Sequence, residues 1–270
     1  MSLKIPINKK LNIHLVGAGG TGGYALACLA RLLAGGDHTI HVYDGDLVET
    51  KNLKRQNFLV EDLDLNKADV LCKRLSKGIF GCPKLIPHSE YLTGKEDFLA
   101  EILTSLEPGE SLVILLAVDN IATRRMVNEM AMNDLLSMGI PALLLDSGND
   151  NQGGQILLYA NAPLVYKEPL EKTGKQGMLP TMLQYFPELD KIKDDNPGLV
   201  MNCADNAESE PQAMMANVRN GELLALITNR MLETGSAPGN LWRSDILTGN
   251  TRCMFTGFYK SEEKEEDTNG

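Results

Sequence analysis

The chain has 270 residues, of which 43% are hydrophobic, so it can bury a substantial core as one large domain or two small ones. Its formal charge of −10 argues against broad binding to nucleic acid or to an anionic membrane surface. There is no apolar run of membrane-spanning length and no signal-peptide core at the amino end, so we expect a cytoplasmic protein without a membrane partner.

The first element in chain order is a strand, a glycine-rich turn and a helix. Apolar residues of 11–16 lead into Gly17-Ala18-Gly19-Gly20-Thr21-Gly22, and small apolar residues follow at helical spacing. Gly17 permits the tight bend, Gly19 lets the backbone approach a phosphate group, and Gly22 lets the helix pack closely on the strand. The turn therefore predicts a site for nucleotide phosphates, most simply those of a dinucleotide.

A second strand at Thr39–Tyr43 completes a β-α-β unit and ends at Asp44. An aspartate about 20 residues beyond the glycine turn suits the hydroxyl groups of a ribose. The alternative interpretation is that Asp44 only begins a turn before Gly45.

A polar, basic segment follows that strand. Asn52 and Arg55 would share a face of a helical turn, and a guanidinium beside an amide suits phosphate oxygens. A solvated surface helix would explain the same residues. Lys67 opens an amphipathic helix at 67–77, where its charge opposes the helix dipole and indicates an anionic partner.

The most apolar run, at 111–118, predicts a central parallel strand and ends at Asp119-Asn120 before a helix at 121–136. Asp119 then lies at the edge where open α/β sheets bind ligands. It could cap the following helix or hold Mg²⁺ on a triphosphate.

The remaining pattern predicts further strands at Lys84–His88, 142–146 and Gly153–Ala160, a helix at 97–105 and a long helix at 212–232. Two strands at 241–247 and 251–258 would form an antiparallel hairpin. Residues 161–201 lack periodicity and are interpreted as an irregular crossover-type loop. The predicted fold class is a Rossmann-like α/β domain at 1–258, with a mostly parallel twisted sheet flanked by helices and the hairpin as a carboxyl-terminal extension. Residues 259–270 read as an acidic flexible tail.

Taken together, GAGGTGG, VYDGD, the segment from Asn52 to Gln56, Lys67 and AVDNIATRRMVN resemble the ThiF/MoeB/HesA superfamily, the ubiquitin-activating-type adenylating enzymes. The resemblance covers about residues 10–258. More narrowly, the sequence resembles the ThiF-type protein of the PRTRC plasmid-associated systems.

The resemblance implies a set of site residues. Gly17, Gly19 and Gly22 would form the nucleotide loop, and Asp44 would bind the ribose. Four further residues would grip the phosphates of ATP: Asn52, Arg55, Gln56 and Lys67. Asp119 would coordinate Mg²⁺. The implied reaction is adenylation of the carboxyl terminus of a small ubiquitin-like or sulfur-carrier protein, catalysed by a homodimer.

In the same family a cysteine at the position of Cys203 can take up the acyl group, so Cys203 is either a nucleophile or a structural thiol. We interpret Cys28 and Cys253 as core thiols. Two features of the family are missing. The amino-terminal segment offers no helix that could carry an arginine to a partner subunit, and none of the five cysteines lies in a C-x-x-C pair, so no zinc is expected.

Two other functions fit part of this pattern. An NAD(P)-dependent oxidoreductase would use the glycine turn and Asp44, but it leaves Arg55, Lys67 and Asp119 unexplained. It would also need a proton-transfer residue, and the four histidines lie in or beside predicted strands with no evident partner. A ThiF-fold subunit that binds but does not catalyse would be signalled by the loss of Arg55 or Asp119, and both are present.

Overall fold

The structure is a computed structural model that describes residues 2–149, 153–168, 173–191 and 214–259. The strands in chain order are β1 (Ser2–Lys4), β2 (Lys10–Val16), β3 (Thr39–Tyr43), β4 (Lys84–His88), β5 (Glu110–Leu116), β6 (Ala142–Asn149), β7 (Gly153–Ala160), β8 (Leu164–Lys167), β9 (Lys175–Gly177), β10 (Ser236–Ala237), β11 (Leu241–Asp245) and β12 (Thr251–Met254). The helices are α1 (Gly20–Leu32), α2 (Lys67–Gly78), α3 (Lys95–Ser105), α4 (Ile121–Glu129), α5 (Met182–Tyr185) and α6 (Met214–Thr234). Among these described helices, none has the length and apolarity needed to cross a membrane.

Eight strands form the main sheet, in the order β12-β11-β7-β6-β5-β2-β3-β4. The five strands from β6 to β4 are parallel, whereas β7, β11 and β12 join antiparallel. The predicted Rossmann-like fold class is confirmed, and the carboxyl-terminal hairpin is β11 paired with β12 from Leu241 opposite Met254.

The centre of this sheet is the part that the sequence specifies most strongly. Strand β5 is apolar from Leu112 to Leu116, and β2 alternates apolar residues with the polar Asn12 and His14; both strands are buried along nearly their whole length, as expected for parallel strands covered on both faces. Strand β2 pairs with β3 on one side and with β5 on the other. Because the strand order reverses at β2, a crevice opens at the carboxyl ends of these three strands.

A second, four-stranded sheet has the order β10-β1-β8-β9, and it corrects the interpretation of 161–201 as irregular. The described part of that segment contains β8, β9 and α5. Strand β8 pairs with the amino-terminal strand β1, with Leu3 opposite Tyr166. The partner lies so far away in sequence that four residues with local alternation give little signal of a strand.

The long helix α6 packs directly on α1 and thereby supports the glycine turn from behind. Gly221 lies at the crossing, where a Cβ atom would come within 2.7 Å of the backbone of Thr21 and of Ala25. Only glycine permits this approach without moving one of the helices. The beginning of α1 is therefore fixed against the carboxyl-terminal part of the chain.

Candidate functional site

A cleft of about 640 Å³ lies at the carboxyl ends of the parallel strands. Its volume is within the range of about 300–1,000 Å³ that is usual for small-molecule sites. The structure brings most of the predicted site residues together along it: Gly17, Gly19, Asp44, Asn52, Arg55, Gln56, Lys67 and Asp119. Gly22 does not line the cleft, and Cys203 lies outside the described residues.

Gly17, Gly19 and Gly22 differ in what their surroundings demand. Gly17 has a φ of +94°, and a Cβ there would come within 2.6 Å of the carbonyl oxygen of Ala117. A Cβ at Gly22 would lie 1.8 Å from the carbonyl oxygen of Gly17. At Gly19 the nearest atoms, in Gln56, would be 3.8 Å away, so packing within the protein does not demand glycine there. The open side of Gly19 faces the cleft, where a ligand could approach the backbone.

The start of α1 presents unused hydrogen-bond donors to the cleft. Ala18 donates its N–H to Asp44, and Gly23 donates to the carbonyl of Gly19. Within the described residues, the N–H groups of Gly19, Gly20, Thr21 and Gly22 have no acceptor. Free N–H groups at the positive end of a helix dipole make a site for an anion.

Asp44 holds the glycine turn in place. Its Oδ2 accepts the N–H of Ala18 at 2.7 Å, and its Oδ1 accepts the N–H of Asp46 at 2.9 Å. Burial raises the pKa of Asp44, partly offset by the charge of Lys67. The turn interpretation of Asp44 thus has direct support, and lone pairs on both oxygens remain for a ribose.

Lys67 is the first residue of α2 and is buried, with 7% of its side chain exposed. Its Nζ donates to Oδ2 of Asp46 at 2.6 Å, so an anionic partner for this lysine lies within the protein. Tyr91 donates its hydroxyl to the other oxygen of Asp46 at 2.5 Å. Burial alone would raise the pKa of Asp46, but the charge and hydrogen bond of Lys67, with the Tyr91 bond, lower it. An ammonium carries three donors, so Lys67 keeps two for a ligand.

The segment after Asp46 is not a solvated surface helix. Asn52 ends a 3₁₀ turn and is buried, and its Oδ1 accepts the N–H of Glu49 at 2.8 Å. Arg55 lines the cleft, and within the described residues its guanidinium makes no hydrogen bond or ion pair. Gln56 has its Oε1 buried without a partner in the same part of the chain. Together these residues leave a free cation and an unused amide beside the glycine turn.

Asp119 lies in the loop after β5 and also lines the cleft. The cap of α4 is its neighbour Asn120, whose Oδ1 accepts the N–H of Thr123 at 2.8 Å. Since Asn120 caps the helix, the capping interpretation of Asp119 is not needed. The exposed Asp119 carboxylate at the edge of the cleft has the oxygen chemistry that Mg²⁺ prefers.

A buried ion pair connects helix α4 to strand β6. Arg124 pairs with Asp146 of β6 and donates to the carbonyl of Ser147 at 2.7 Å and to that of Val118. Burial lowers the pKa of Arg124 to about 10, which still leaves it charged at neutral pH. The pair holds the carboxyl ends of β5 and β6 at the floor of the cleft.

Asn217 of α6 joins the end of β6 to the segment of Arg55, and both border the cleft. It is 1% exposed, accepts from Nδ2 of Asn149 at 2.6 Å and donates to the carbonyl of Arg55 at 3.3 Å. Sequence reasoning missed Asn217, as it missed Asp46, Tyr91 and the Arg124–Asp146 pair. Asp46 is the second aspartate of the motif Val-Tyr-Asp-Gly-Asp, so the sequence does contain a signal for it. The contact between Asn217 and the carbonyl of Arg55 spans 162 positions and leaves no local pattern.

We expect Asn217→Ala to destabilise the protein by about 1–3 kcal/mol, because it leaves the carbonyl of Arg55 and the amide of Asn149 without their partner. The variant should also bind nucleotide more weakly, since Arg55 loses its anchor. Urea unfolding and nucleotide titration measure the two effects. Asn229→Ala, on the same helix, is the control and should change stability by less than about 0.5 kcal/mol. Equal effects of the two variants would contradict the role given to Asn217.

The described cysteines are free thiols and lie away from this chemistry. Cys72 is buried, and Cys28, Cys82 and Cys253 are partly buried. Burial raises the pKa of Cys72 and of Cys253 to about 12 each, so neither is an activated nucleophile. The interpretation of Cys28 and Cys253 as thiols packed against the core agrees with their positions.

The fold is a Rossmann-like α/β fold with a cleft beside a glycine turn at the carboxyl ends of its parallel strands, an arrangement typical of nucleotide-binding proteins. The sequence matches the ThiF family over residues 8–267, and the chain belongs to that family.

Individual relatives give the same picture. The chain is 29% identical over 197 residues to the adenylyltransferase and sulfurtransferase uba4 of Aspergillus niger, a match that covers 73% of this chain and 35% of that protein. Its fold is similar to that of E. coli MccB solved with AMPCPP and MccA, with a TM-score of 0.59 and 17% identity over 93% of this chain and 65% of MccB. It is also similar to PaaA, with a TM-score of 0.57 and 16% identity over 90% of this chain and 63% of PaaA. The chain therefore spans about a third of uba4 and less than two thirds of either solved structure.

Proposed function

We propose that this protein is an adenylating enzyme that uses ATP and Mg²⁺ to activate the carboxyl terminus of a small ubiquitin-like or sulfur-carrier protein. The observation that carries the proposal is that the free Arg55 guanidinium, the unused N–H groups of the glycine turn and the Asp119 carboxylate line one cleft. A site for a dinucleotide alone would not need this cation and carboxylate together. The relatives support the same class, since uba4 is named an adenylyltransferase and MccB has been solved with ATP.

The donor set fits the phosphates of ATP. The N–H groups of Gly19, Gly20 and Thr21, the two remaining donors of Lys67 and the guanidinium of Arg55 offer positive charge to one region. Gln56 lines the same region, where its amide nitrogen can donate to a phosphate oxygen, whereas its buried Oε1 can only accept. Asn52 lies next to this cradle, and Asp44 would take the ribose.

Asp119 is the residue that would hold Mg²⁺, in line with its exposed carboxylate at the edge of the cleft. When bound, Mg²⁺ supplies charge neutralisation for the triphosphate and its leaving pyrophosphate. The proposed Mg²⁺ ligand is thus a carboxylate, and the described residues that line the cleft include no cysteine or histidine.

The reaction asks little of acid–base catalysis. A carboxyl terminus is already ionised at neutral pH, so it can attack the α-phosphorus of ATP without a general base. A carboxylate oxygen bonds to phosphorus as the bond to the pyrophosphate oxygen breaks, which gives an acyl-adenylate and pyrophosphate. The residues act by positioning and by stabilising charge: Arg55 and Lys67 hold the phosphates, and the glycine turn fixes their place.

The finer points of the proposal follow the family resemblance. We propose that a homodimer catalyses the reaction in the cytoplasm, and that Cys203, outside the described residues, takes up the acyl group from the adenylate with release of AMP. A PRTRC-type protein would fit the same scheme. In that step the thiolate sulfur bonds to the acyl carbon and the carbon–oxygen bond to AMP breaks, so no oxidant is needed.

ATP–pyrophosphate exchange tests the function directly. Purified full-length protein with its candidate partner should exchange labelled pyrophosphate into ATP, and the exchange should depend on Mg²⁺ and on an intact partner carboxyl terminus. Binding of ATP, measured by titration, should be stronger than that of NADH. Tight NADH binding without ATP binding would overturn the proposal in favour of an oxidoreductase.

Asp119→Ala should reduce this exchange by about 10²–10³-fold at a fixed Mg²⁺ concentration, because the phosphate charge loses its metal ligand. Raising the Mg²⁺ concentration should restore part of the rate. Asp97→Ala, an exposed aspartate of α3, is the control and should leave exchange unchanged. If Asp119→Ala exchanges as fast as the control, Asp119 is not the metal ligand.

A further inference from the structure

Three of the four histidines lie side by side on one face of the main sheet, outside the cleft. From the sequence alone these histidines have no evident partner, and the structure corrects this expectation. His14 of β2 stacks on His41 of β3 with ring centroids 4.6 Å apart, and its Nδ1 lies 2.8 Å from the hydroxyl of Tyr43. His88, the last residue of β4, stacks on Tyr43 at 4.2 Å.

Within this group, three ligand atoms converge on one point. Nδ1 of His41 lies 3.0 Å from Nε2 of His88, and Oε1 of Glu101 from α3 lies 3.6 Å and 3.8 Å from those two nitrogens. The point equidistant from three atoms at these separations is about 2.0 Å from each in their plane. Zinc–nitrogen and zinc–oxygen bonds are about 2.0–2.2 Å long.

Hydrogen bonding explains this arrangement only in part. The two imidazoles can share one hydrogen bond at 3.0 Å, but Glu101 Oε1 is then too far from either nitrogen to bond well. A cation at the centre would engage all three atoms at once. We propose that His41, His88 and Glu101 form a Zn²⁺ site, with a fourth position open to water.

The chemistry of the ligands suits this metal. Neutral imidazole is the form that binds metal, and two imidazoles with a carboxylate suit Zn²⁺ better than Mg²⁺. The side chains of His88 and Glu101 are 22% and 37% exposed, which leaves a path of entry, whereas His41 is buried.

A Zn²⁺ ion here would connect three elements at the edge of the sheet. Strand β4 is the last strand on its side, and its residues are exposed or only partly buried. The carbonyl of His88 accepts the N–H of Asp44 at 3.1 Å, and Tyr91 follows three residues later and contacts Asp46. The bound metal would therefore stabilise the edge strand β4, which leads directly into the segment where Tyr91 lines the cleft. The expectation of no zinc rested on missing cysteine pairs, and this site uses none.

Calorimetric titration of Zn²⁺ into the full-length protein tests the proposal, after chelator stripping and in excess Mg²⁺. We expect one equivalent to bind, with affinity at least ~100-fold weaker in His88→Gln and in Glu101→Gln. Glu96→Gln changes a carboxylate on the same helix outside the cluster, and it should bind as the unmodified protein does. Bound Zn²⁺ should also raise the melting temperature of the protein and of this control, but not of the two ligand variants.

Co²⁺ substitution separates this site from the thiols. Binding at His41, His88 and Glu101 gives the visible absorption of a tetrahedral ion without the near-ultraviolet band of a cobalt–thiolate bond. No binding, a thiolate band, or equal affinity in Glu101→Gln and Glu96→Gln would overturn the proposal and leave a hydrogen-bonded histidine stack. If His88→Gln fails to fold, the partly exposed Glu101→Gln decides. The proposal does not depend on adenylation, since every readout is metal binding or stability.

Discussion

Arg55→Ala should lose about 10²–10³-fold of the rate of ATP–pyrophosphate exchange while the protein stays folded. Arg55 is the cation of the cleft whose guanidinium makes no hydrogen bond or ion pair within the described residues. Its removal therefore breaks no internal contact of that side chain, and the cost falls on the phosphates it would hold. The rate is measured with saturating partner and ATP, and the fold by circular dichroism.

The neighbouring Lys54 provides a matched control. It is exposed and does not line the cleft, and Lys54→Ala removes one positive charge from the same segment. General attraction of ATP by the basic segment would make the two variants equally slow, whereas a direct phosphate contact slows only Arg55→Ala. Arg55→Lys should recover little, because an ammonium cannot replace the paired donors of a guanidinium. Equal rates in Arg55→Ala and Lys54→Ala would remove Arg55 from the proposed site.

The parts of the fold that the sequence predicts well are those with local signals. Strands β2, β3, β4 and β5, the glycine turn and the opening of α2 at Lys67 all follow from apolar runs or turn chemistry, and the structure places them where they were expected. Strand β8 is not predicted because its four residues are stabilised by pairing with β1, which lies at the amino-terminal end of the chain. Pairing between distant segments depends on the assembled core, which a window of neighbouring residues does not contain.

The candidate site divides in the same way. The glycines, Asp44 and Arg55 carry signals in their spacing, and the cleft brings them together. What the sequence lacked was the second layer that holds these groups. Asp46 occupies one donor of Lys67, and Asn217 of the last helix holds the carbonyl of Arg55. Such contacts join residues from different elements, so they are set by packing geometry and leave no periodic pattern.

The buried pair between Arg124 and Asp146 should dominate the stability of the cleft. Asp146 is fully buried and Arg124 is 6% exposed. Asp146→Ala leaves a guanidinium in a low-dielectric interior without its counter-charge, so we expect a loss of about 3–5 kcal/mol in the free energy of unfolding, measured in urea. The double variant Arg124→Met with Asp146→Leu should recover much of this loss, because it removes both charges and fills the space.

An exposed ion pair supplies the comparison. Lys95 pairs with Glu129 at 3.1 Å and with Asp134 at 3.3 Å on the surface, and Glu129→Ala should cost no more than about 1 kcal/mol because water screens these charges and Asp134 remains beside the lysine. Both substitutions remove a carboxylate beside a cation, but Asp146 is buried, whereas Glu129 is exposed and is not the lysine's only partner. If Asp146→Ala cost no more than Glu129→Ala, the guanidinium would have to find another partner or reach water. The carbonyl of Ser147, already bonded to Arg124, cannot neutralise its charge. Water would then reach the floor of the cleft more easily than the burial of Arg124 and Asp146 indicates. The ion pair would also connect the ends of β5 and β6 less strongly.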